Sequence, residues 1–278
     1  MGPVTRQFLK MNGLGNDFVV VEARERGFAP SAEEVRAIAD RATGVGCDQL
    51  IVVEPSDSAH ARMRIWNADG GEVEACGNAA RCVAWLLMEA GALETVALET
   101  AGGPLQARRA GPEAVTVDMG PPRLGWRDIP LSEEMDTRGV ELQVGPVEAP
   151  HLHTPGCVSM GNPHVVFFVS DVATAPVRQA GSMIEHHPLF PEGVNVGFAE
   201  VRGRDRIALR VWERGAGETQ ACGTGACAAV VAANRRGLLD RAASVELPGG
   251  VLEIHWREAD DHVLMTGPVA VEFTGVLP

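Results

Sequence analysis

Apolar runs divide the chain into short segments of two kinds. "DFVVVEA" from Asp17, "QLIVVE" from Gln49 and "ARMRIW" from Ala61 read as strands, and so do "HVVFFV" from His164 and "IALRVW" from Ile207. Two other stretches, "AARCVAWLLMEA" from Ala79 and "GACAAVVAA" from Gly225, are apolar nearly all round. A surface helix would keep one polar face, so each is expected to be a helix wrapped by the strands of its own part of the chain. The first should run from behind Cys76 to Gly91 and the second from behind Cys222 to Gly237, with the glycines closing them. Ser31-Ala-Glu-Glu34 has the spacing of a capping box and predicts a short amphipathic helix to about Ala42.

The pattern occurs twice. With an offset of 146 (210 − 64), "RIWNADGGEVEACGNAARCVA" lies over "RVWERGAGETQACGTGACAAV" without a gap. Arg64, Trp66, Gly71, Glu72, Ala75, Cys76, Gly77 and Ala80 return as Arg210, Trp212, Gly217, Glu218, Ala221, Cys222, Gly223 and Ala226. Gly15-Asn16 maps onto Gly161-Asn162, and Gln49 onto Asn195, while "ETAGGPLQA" matches "ELPGGVLEI" with the offset slipped to 147 (246 − 99). Agreement over most of the length indicates two homologous halves. The expected fold is α+β: two domains, residues 1–124 with Cys76 and 125–278 with Cys222. Each is a mainly antiparallel sheet or barrel around a central apolar helix, and the two face each other across a cleft. The Pro- and Gly-bearing stretch at about 120–146 is the crossover, with the last strand able to pack on the first half.

Composition narrows the function. At 278 residues, with 45% hydrophobic and 22% charged, the chain can bury a sizeable core. A net charge of −13 argues against a nucleic-acid partner. No apolar run reaches the length of a membrane span, and "MGPVTRQFLK" lacks the features of a signal peptide or a myristoylation site, so a cytoplasmic location is expected. Six cysteines are too few for a disulfide scaffold, and their spacings fit no standard zinc pattern, so no metal is expected. Lys10 is the only lysine and sits in a strand-like stretch without a phosphate-binding glycine loop. That leaves no fitting Schiff-base lysine for pyridoxal phosphate, and no cofactor is expected. His60, His151, His153, His186, His187, His255 and His262 have no counterpart in the repeat and read as surface or structural residues.

A cysteine directly ahead of a helix lies near backbone N–H groups without intrahelical partners and near the positive end of the helix dipole. Its thiol pKa is therefore expected to be lowered. Cys82, Cys157 and Cys227 read as small buried apolar groups. Cys76 and Cys222 differ, because the repeat keeps Cys-Gly-Asn/Thr together while its surroundings diverge. Two thiols facing one carbon suit inversion of a stereocentre, one removing a proton and the other returning one on the opposite face. The N–H groups of Gly77-Asn78 and Gly223-Thr224 could clamp a carboxylate and take up the charge that develops on it. Asn67, Asn162, Asn195 and Arg214 together suit a second carboxylate and amine.

The motifs "MNGLGNDF", "GVGCDQ", "WNADGGEVEACGNAARC", "GNPH", "GVNVGF" and "WERGAGETQACGTGACA" together resemble the diaminopimelate epimerase family, over nearly the whole chain. The cysteine motifs alone are shared in outline with proline racemase-like relatives. The resemblance implies a cofactor-independent epimerase acting on a small amino-acid substrate, in which Cys76 and Cys222 are the acid–base pair. It implies substrate contacts at Asn16, Gln49, Asn67, Gly77, Asn78, Asn162, Asn195, Glu213, Arg214, Gly223 and Thr224, with His164 and Glu213 flanking the cysteines and tuning them. Asn12 stands where the family commonly has His, and Cys47 where Phe is frequent; neither is among these contacts. A racemase of another amino acid, such as histidine or proline, would keep both cysteines but need not keep the Arg/Asn set. A thiol redox protein or a non-catalytic amino-acid binder fits less well. A homodimer stays open.

Overall fold

A computed structural model of the chain describes residues 6–74, 76–146 and 148–277. Ala75 of the repeated motif and Met1–Thr5, on which the reading of the N-terminus partly rests, lie outside the described residues. The chain divides into two units. One runs to Asp118 and takes in the chain from Thr266 onward; the other is Met119–Met265.

The first stretch contains β1 (Arg6–Gly13), β2 (Asn16–Glu22), α1 (Ala32–Ala39), β3 (Gln49–Glu54), β4 (Ala61–Asn67), β5 (Glu72–Val73), α2 (Gly77–Gly91), β6 (Thr95–Thr100), β7 (Gly103–Gly111) and β8 (Ala114–Asp118). The second contains β9 (Gln143–Val144), β10 (Leu152–His153), β11 (Gly156–Ser159), β12 (Pro163–Phe168), α3 (Val177–Glu185), β13 (Asn195–Val201), β14 (Arg206–Glu213), β15 (Gly217–Thr219), α4 (Gly223–Arg235), β16 (Ala242–Leu247) and β17 (Gly250–Trp256). The unit boundary falls within β18 (Val263–Pro268), and β19 (Ala270–Leu277) pairs antiparallel with β1. The fold is α+β, as the apolar pattern implied, and mostly sheet, with four helices among the described residues.

Strand registers repeat with the sequence. β2 and β3 run parallel with Phe18 opposite Gln49, and β12 and β13 run parallel with His164 opposite Asn195, each residue displaced by 146. Leu50 faces Trp66 in antiparallel β3–β4, as Val196 faces Trp212 in β13–β14. In the parallel pairs β4–β6 and β14–β16, Ala61 opposite Leu98 becomes Ile207 opposite Val245, so the slip to 147 lies between the paired strands. The Arg64–Glu72 ion pair (2.8 Å) recurs as Arg210–Glu218 (2.7 Å).

Each unit buries one helix against its strands. The buried part of α2 runs from Asn78 to Ala84 and includes Leu87 and Met88; in α4 Gly223 and every residue from Gly225 to Ala233 are buried. Small residues allow this: a Cβ on Gly156 would come within 3.1 Å of the Ala232 Cβ, so β11 packs directly on α4. A shorter helix covers the opposite sheet face. Val35 and Ala39 of α1 pack with Val19, Val21, Leu50, Val52 and Trp66, and Val177, Ala180 and Ile184 of α3 with Val165, Phe167, Val196 and Phe198. Covering on both faces explains why these strands read as unbroken apolar runs rather than alternating ones.

Several boundaries differ from expectation. The Ser31 capping box is present with both bonds, but α1 ends at Ala39, where Asp40 adopts an extended backbone. Helix α2 ends at Gly91, yet the left-handed residue that closes it is Ala92 (φ 48°), not the glycine. Gly237 (φ 71°) does close α4 as expected. Helix α3 was not anticipated; it begins at Pro176 without a side-chain cap and carries Gly181 at its centre. Tertiary contact requires that glycine, since a Cβ there would stand 2.6 Å from Trp212. The crossover is no loose linker: Ile129, Leu131, Val140 and Leu142 are buried in the core around α3.

Candidate active site

Cys76 and Cys222 both occupy the residue ahead of a buried helix, with extended backbones (φ −146° and −120°). The first intrahelical bonds are equivalent: Ala80 N–H donates to Cys76 O (2.9 Å) and Ala226 N–H to Cys222 O (3.0 Å). Gly77 and Asn78, and likewise Gly223 and Thr224, therefore lie in first turns whose N–H groups have no carbonyl of their own helix to meet.

In the first unit the Cys76 thiol donates to Asn16 Oδ1 (3.8 Å). Asn16 is oriented from behind, its Nδ2 donating to Asp48 Oδ2 (2.8 Å). Asp48 is fixed in turn: Arg41 donates to it and to Asp17, and the Asp17 and Asp48 backbone N–H groups donate to each other's carboxylates. The sole lysine, Lys10, is 4% exposed and completes this cluster, its Nζ donating to Asp17 and to the Gly46 carbonyl. Burial alone would raise the Asp17 carboxyl, but the bonds from Arg41, Lys10 and Asp48 outweigh it and hold it below the usual carboxylate range. On the neighbouring strands Gln49 Nε2 donates to Asn67 Oδ1 (2.9 Å). Gln49 Oε1 is buried and has no hydrogen-bond partner among the described residues, an acceptor suited to an ammonium group.

In the second unit one chain of hydrogen bonds runs through the thiol. Asn162 Nδ2 donates to Thr224 Oγ1 (3.3 Å), which leaves Asn162 Oδ1 to accept from His164 Nε2 (3.0 Å). His164 is 1% exposed; burial first, and the charge of Arg214 second, lower its pKa to about 3, so it is a neutral donor. Thr224 Oγ1 lies 3.7 Å from Cys222 Sγ, and Cys222 also hydrogen-bonds to the Glu213 carboxylate. Glu213 Oε1 also accepts from Thr219 Oγ1 (2.5 Å). Burial raises the Glu213 pKa, and the bonds from Thr219 and Cys222 only partly oppose it.

These surroundings correct the expectation of a lowered thiol pKa at Cys222. Burial, with the thiol 3% exposed, and then the Glu213 charge push it well above the ordinary value, against the weaker pull of Thr224 and the Gly225 N–H. A helix N-terminus helps a thiolate by a fraction of what desolvation beside a carboxylate takes away. Cys82 and Cys157 are raised to about 12 and Cys47 to about 11 by burial, in keeping with packing roles.

Two expected contacts sit differently from the rest. Both ends of the Asn195 carboxamide are engaged: Nδ2 donates to Pro163 O (2.9 Å), and Oδ1 accepts from Arg214 N (2.9 Å). Arg214 itself is exposed, its Nη1 donating to Glu192 O (2.8 Å). Sequence reasoning also missed Arg81, which is fully buried and donates through Nη1 to Asn78 Oδ1 (3.0 Å). The signal was available: one cation inside an apolar helix, three residues from Asn78 and therefore on its face.

Comparison with known proteins places the chain in a family. A family model described as diaminopimelate epimerase matches residues 8–125 and 156–272, once in each half. The chain belongs to the diaminopimelate epimerase family. Among its curated relatives, the diaminopimelate epimerase of Caulobacter sp. (strain K31) is 62% identical, covering 99% of this chain and 98% of that protein. The diaminopimelate epimerase of Phenylobacterium zucineum (strain HLK1) is 63% identical over 98% of each. Among solved structures, a hydroxyproline epimerase from Agrobacterium vitis has the same fold, with a TM-score of 0.69 at 16% identity over 98% of this chain and 92% of that one. The family's departures from this sequence are structural here. Asn12 caps the β1–β2 turn by accepting from Gly15 N (2.7 Å), and Cys47 is a buried core residue.

Proposed function

We propose that this chain inverts one α-carbon of L,L-diaminopimelate to give the meso form, with Cys76 and Cys222 as the two acid–base groups and no cofactor. The reading places the two homologous domains on either side of a cleft that holds the substrate, in a cytoplasmic enzyme. One observation carries it: the Cys-Gly frame ahead of a buried helix occurs twice in the diaminopimelate epimerase pattern, with the Cys76 thiol on the Asn16 amide and the Cys222 thiol on the Glu213 carboxylate.

The chemistry follows from those neighbours. Cys222 enters as the thiol, because burial and Glu213 disfavour its charge. Cys76, whose thiol otherwise donates to Asn16, reacts after losing that proton to solvent and as the thiolate removes the α-proton from one face. The electron pair left behind spreads onto the α-carboxylate, where the first-turn N–H groups of α2 and α4 stabilise it. Cys222 then delivers its proton to the opposite face. The product carries inverted configuration, Cys76 is left as thiol and Cys222 as thiolate, and proton exchange with solvent resets the pair. Arg214, Asn67 and Gln49 are assigned to the distal amino-acid head, where the Gln49 carbonyl accepts from its ammonium and Arg214 pairs with its carboxylate.

The test is epimerisation of L,L-diaminopimelate in D₂O with no added cofactor, run beside proline, histidine and glutamate. Deuterium should enter at the inverted carbon, and diaminopimelate should be strongly preferred, since a substrate without the distal head leaves polar groups unpaired. Turnover of histidine or proline as fast as diaminopimelate would favour the second reading, a racemase of another amino acid. A homodimer is part of the proposal, supported by Val271, Phe273 and Val276, which are exposed on β19; sedimentation velocity decides it.

A further inference from the structure

The loop Arg214–Ala216 joins β14 to β15 and has Arg214 and Gly215 where the first unit has Ala68 and Asp69. It is a three-residue turn closed by Ala216 N–H donating to Glu213 O (3.1 Å), with Gly215 at φ 76°. Such a loop has no core of its own, so its position must come from bonds to rigid elements.

Besides the Arg214 N–H bond to Asn195 of β13, one such bond comes from the outer helix in both units, at the same loop position and with opposite polarity. In the first unit Arg36 of α1 donates to the Asp69 carbonyl (3.0 Å). In the second, the residue displaced by 146 is Gly215, and its N–H donates to Glu185 Oε1 (2.8 Å) at the end of α3. Glu185 stands where α1 has Ala39, and the exchange is compensated, because Trp212 Nε1 donates to Glu185 Oε2 (2.7 Å). The carboxylate is 6% exposed and uses both oxygens on β14 and its loop. Immediately after α3 the chain forms a shelf for Arg214: Glu192 O accepts from its guanidinium, and a Cβ on Gly193 would stand 2.9 Å from its Cδ.

We propose that Glu185 is a positioning residue for the distal head-group site: by pinning Gly215 and Trp212 it sets the frame from which Arg214 is aimed. It acts through Arg214 and touches no substrate itself. The inference rests on the function proposed above, and it adds to that function the residue on which selection of the distal head depends.

The experiment is a double-mutant cycle on the full-length enzyme with Glu185→Gln, Arg214→Ala and the pair, measuring kcat and KM for L,L-diaminopimelate. Glutamine keeps the shape but turns an N–H toward one of the two donors. We expect Glu185→Gln to lower kcat/KM by about 10- to 100-fold, mostly through KM, as a misplaced binding group does. In the Arg214→Ala background the same change should cost less than about 2-fold, since the group it positions is gone. Equal losses in both backgrounds, or an unchanged KM, overturn the proposal. Should Glu185→Gln not fold, Trp212→Phe tests the same clamp by removing one of its two donors, and an unchanged KM there also overturns it. Wild type without diaminopimelate turnover would instead overturn the function reading, so the two failures are distinguishable.

Discussion

Glu213 stands in the second unit where Asn67 stands in the first, at the end of equivalent strands and displaced by 146. Asn67 pairs with the neutral amide of Gln49, whereas Glu213 bonds to a thiol. Likewise Phe18 lies at the position of His164. Equivalent positions of the two units thus carry different side chains, the asymmetry that the proposed two-thiol mechanism needs, with one group starting protonated and the other not.

Replacing Glu213 by Gln should bring the Cys222 pKa down, because the neighbouring negative charge is removed while the shape is kept. The proposed mechanism needs Cys222 as the thiol, so the alkaline limb of the kcat/KM–pH profile should move to lower pH. An alkaline limb that stays where it is in Glu213→Gln would show that this limb does not report Cys222.

Cys76→Ala and Cys222→Ala should each lower turnover by about 10²- to 10⁴-fold, the range typical of a lost general acid or base. Full activity in either variant, measured by conversion of L,L- to meso-diaminopimelate, would rule out the two-thiol mechanism.

His164 should make stability depend on pH in a definite direction. An unfolded chain binds a proton on this ring below about pH 6.5. The folded chain does so only near 3. Between those values the unfolded state holds more protons, so stability falls as pH drops through the window and levels off below it. His164→Gln removes this contribution, and its Tm should vary less with pH across the window than that of wild type. Parallel Tm–pH curves would count against a neutral buried histidine.

Native-state alkylation should discriminate among the six cysteines. Cys47, Cys82, Cys157 and Cys227 are at most 1% exposed, and three of them have thiols raised to about 11 or 12. Cys76 is half-buried and should be labelled first, as peptide mapping by mass spectrometry would reveal. Early labelling of Cys82 or Cys157 would contradict the packing described.

Ser31→Ala should destabilise the first unit by about 1 kcal/mol, because both bonds of the capping box are present. Chemical denaturation measures the change, which should leave kcat unaffected.

Much of this was legible in the sequence because it depends on local pattern. Apolar runs and turn residues located the principal strands and both buried helices, and the repeated Cys-Gly motif located both thiols at helix starts. The offset of 146 carries through to the strand registers, since two homologous halves pair their strands alike. What escaped were features whose cause lies far along the chain. Helix α3 has no cap and a central glycine, and it makes sense only against Trp212. The charge state of Cys222 could not be deduced from its place ahead of a helix, because desolvation and a carboxylate nine residues earlier outweigh the dipole. The Lys10–Asp17–Arg41–Asp48 cluster and the Glu185 clamp likewise join residues that no short motif contains. Periodicity and caps are written in neighbouring residues, so the sequence by itself determined the elements and their repetition. Burial and charge are sums over everything that folding brings near, so only the tertiary structure decided that the Cys222 thiol is pushed up and which loops are held still.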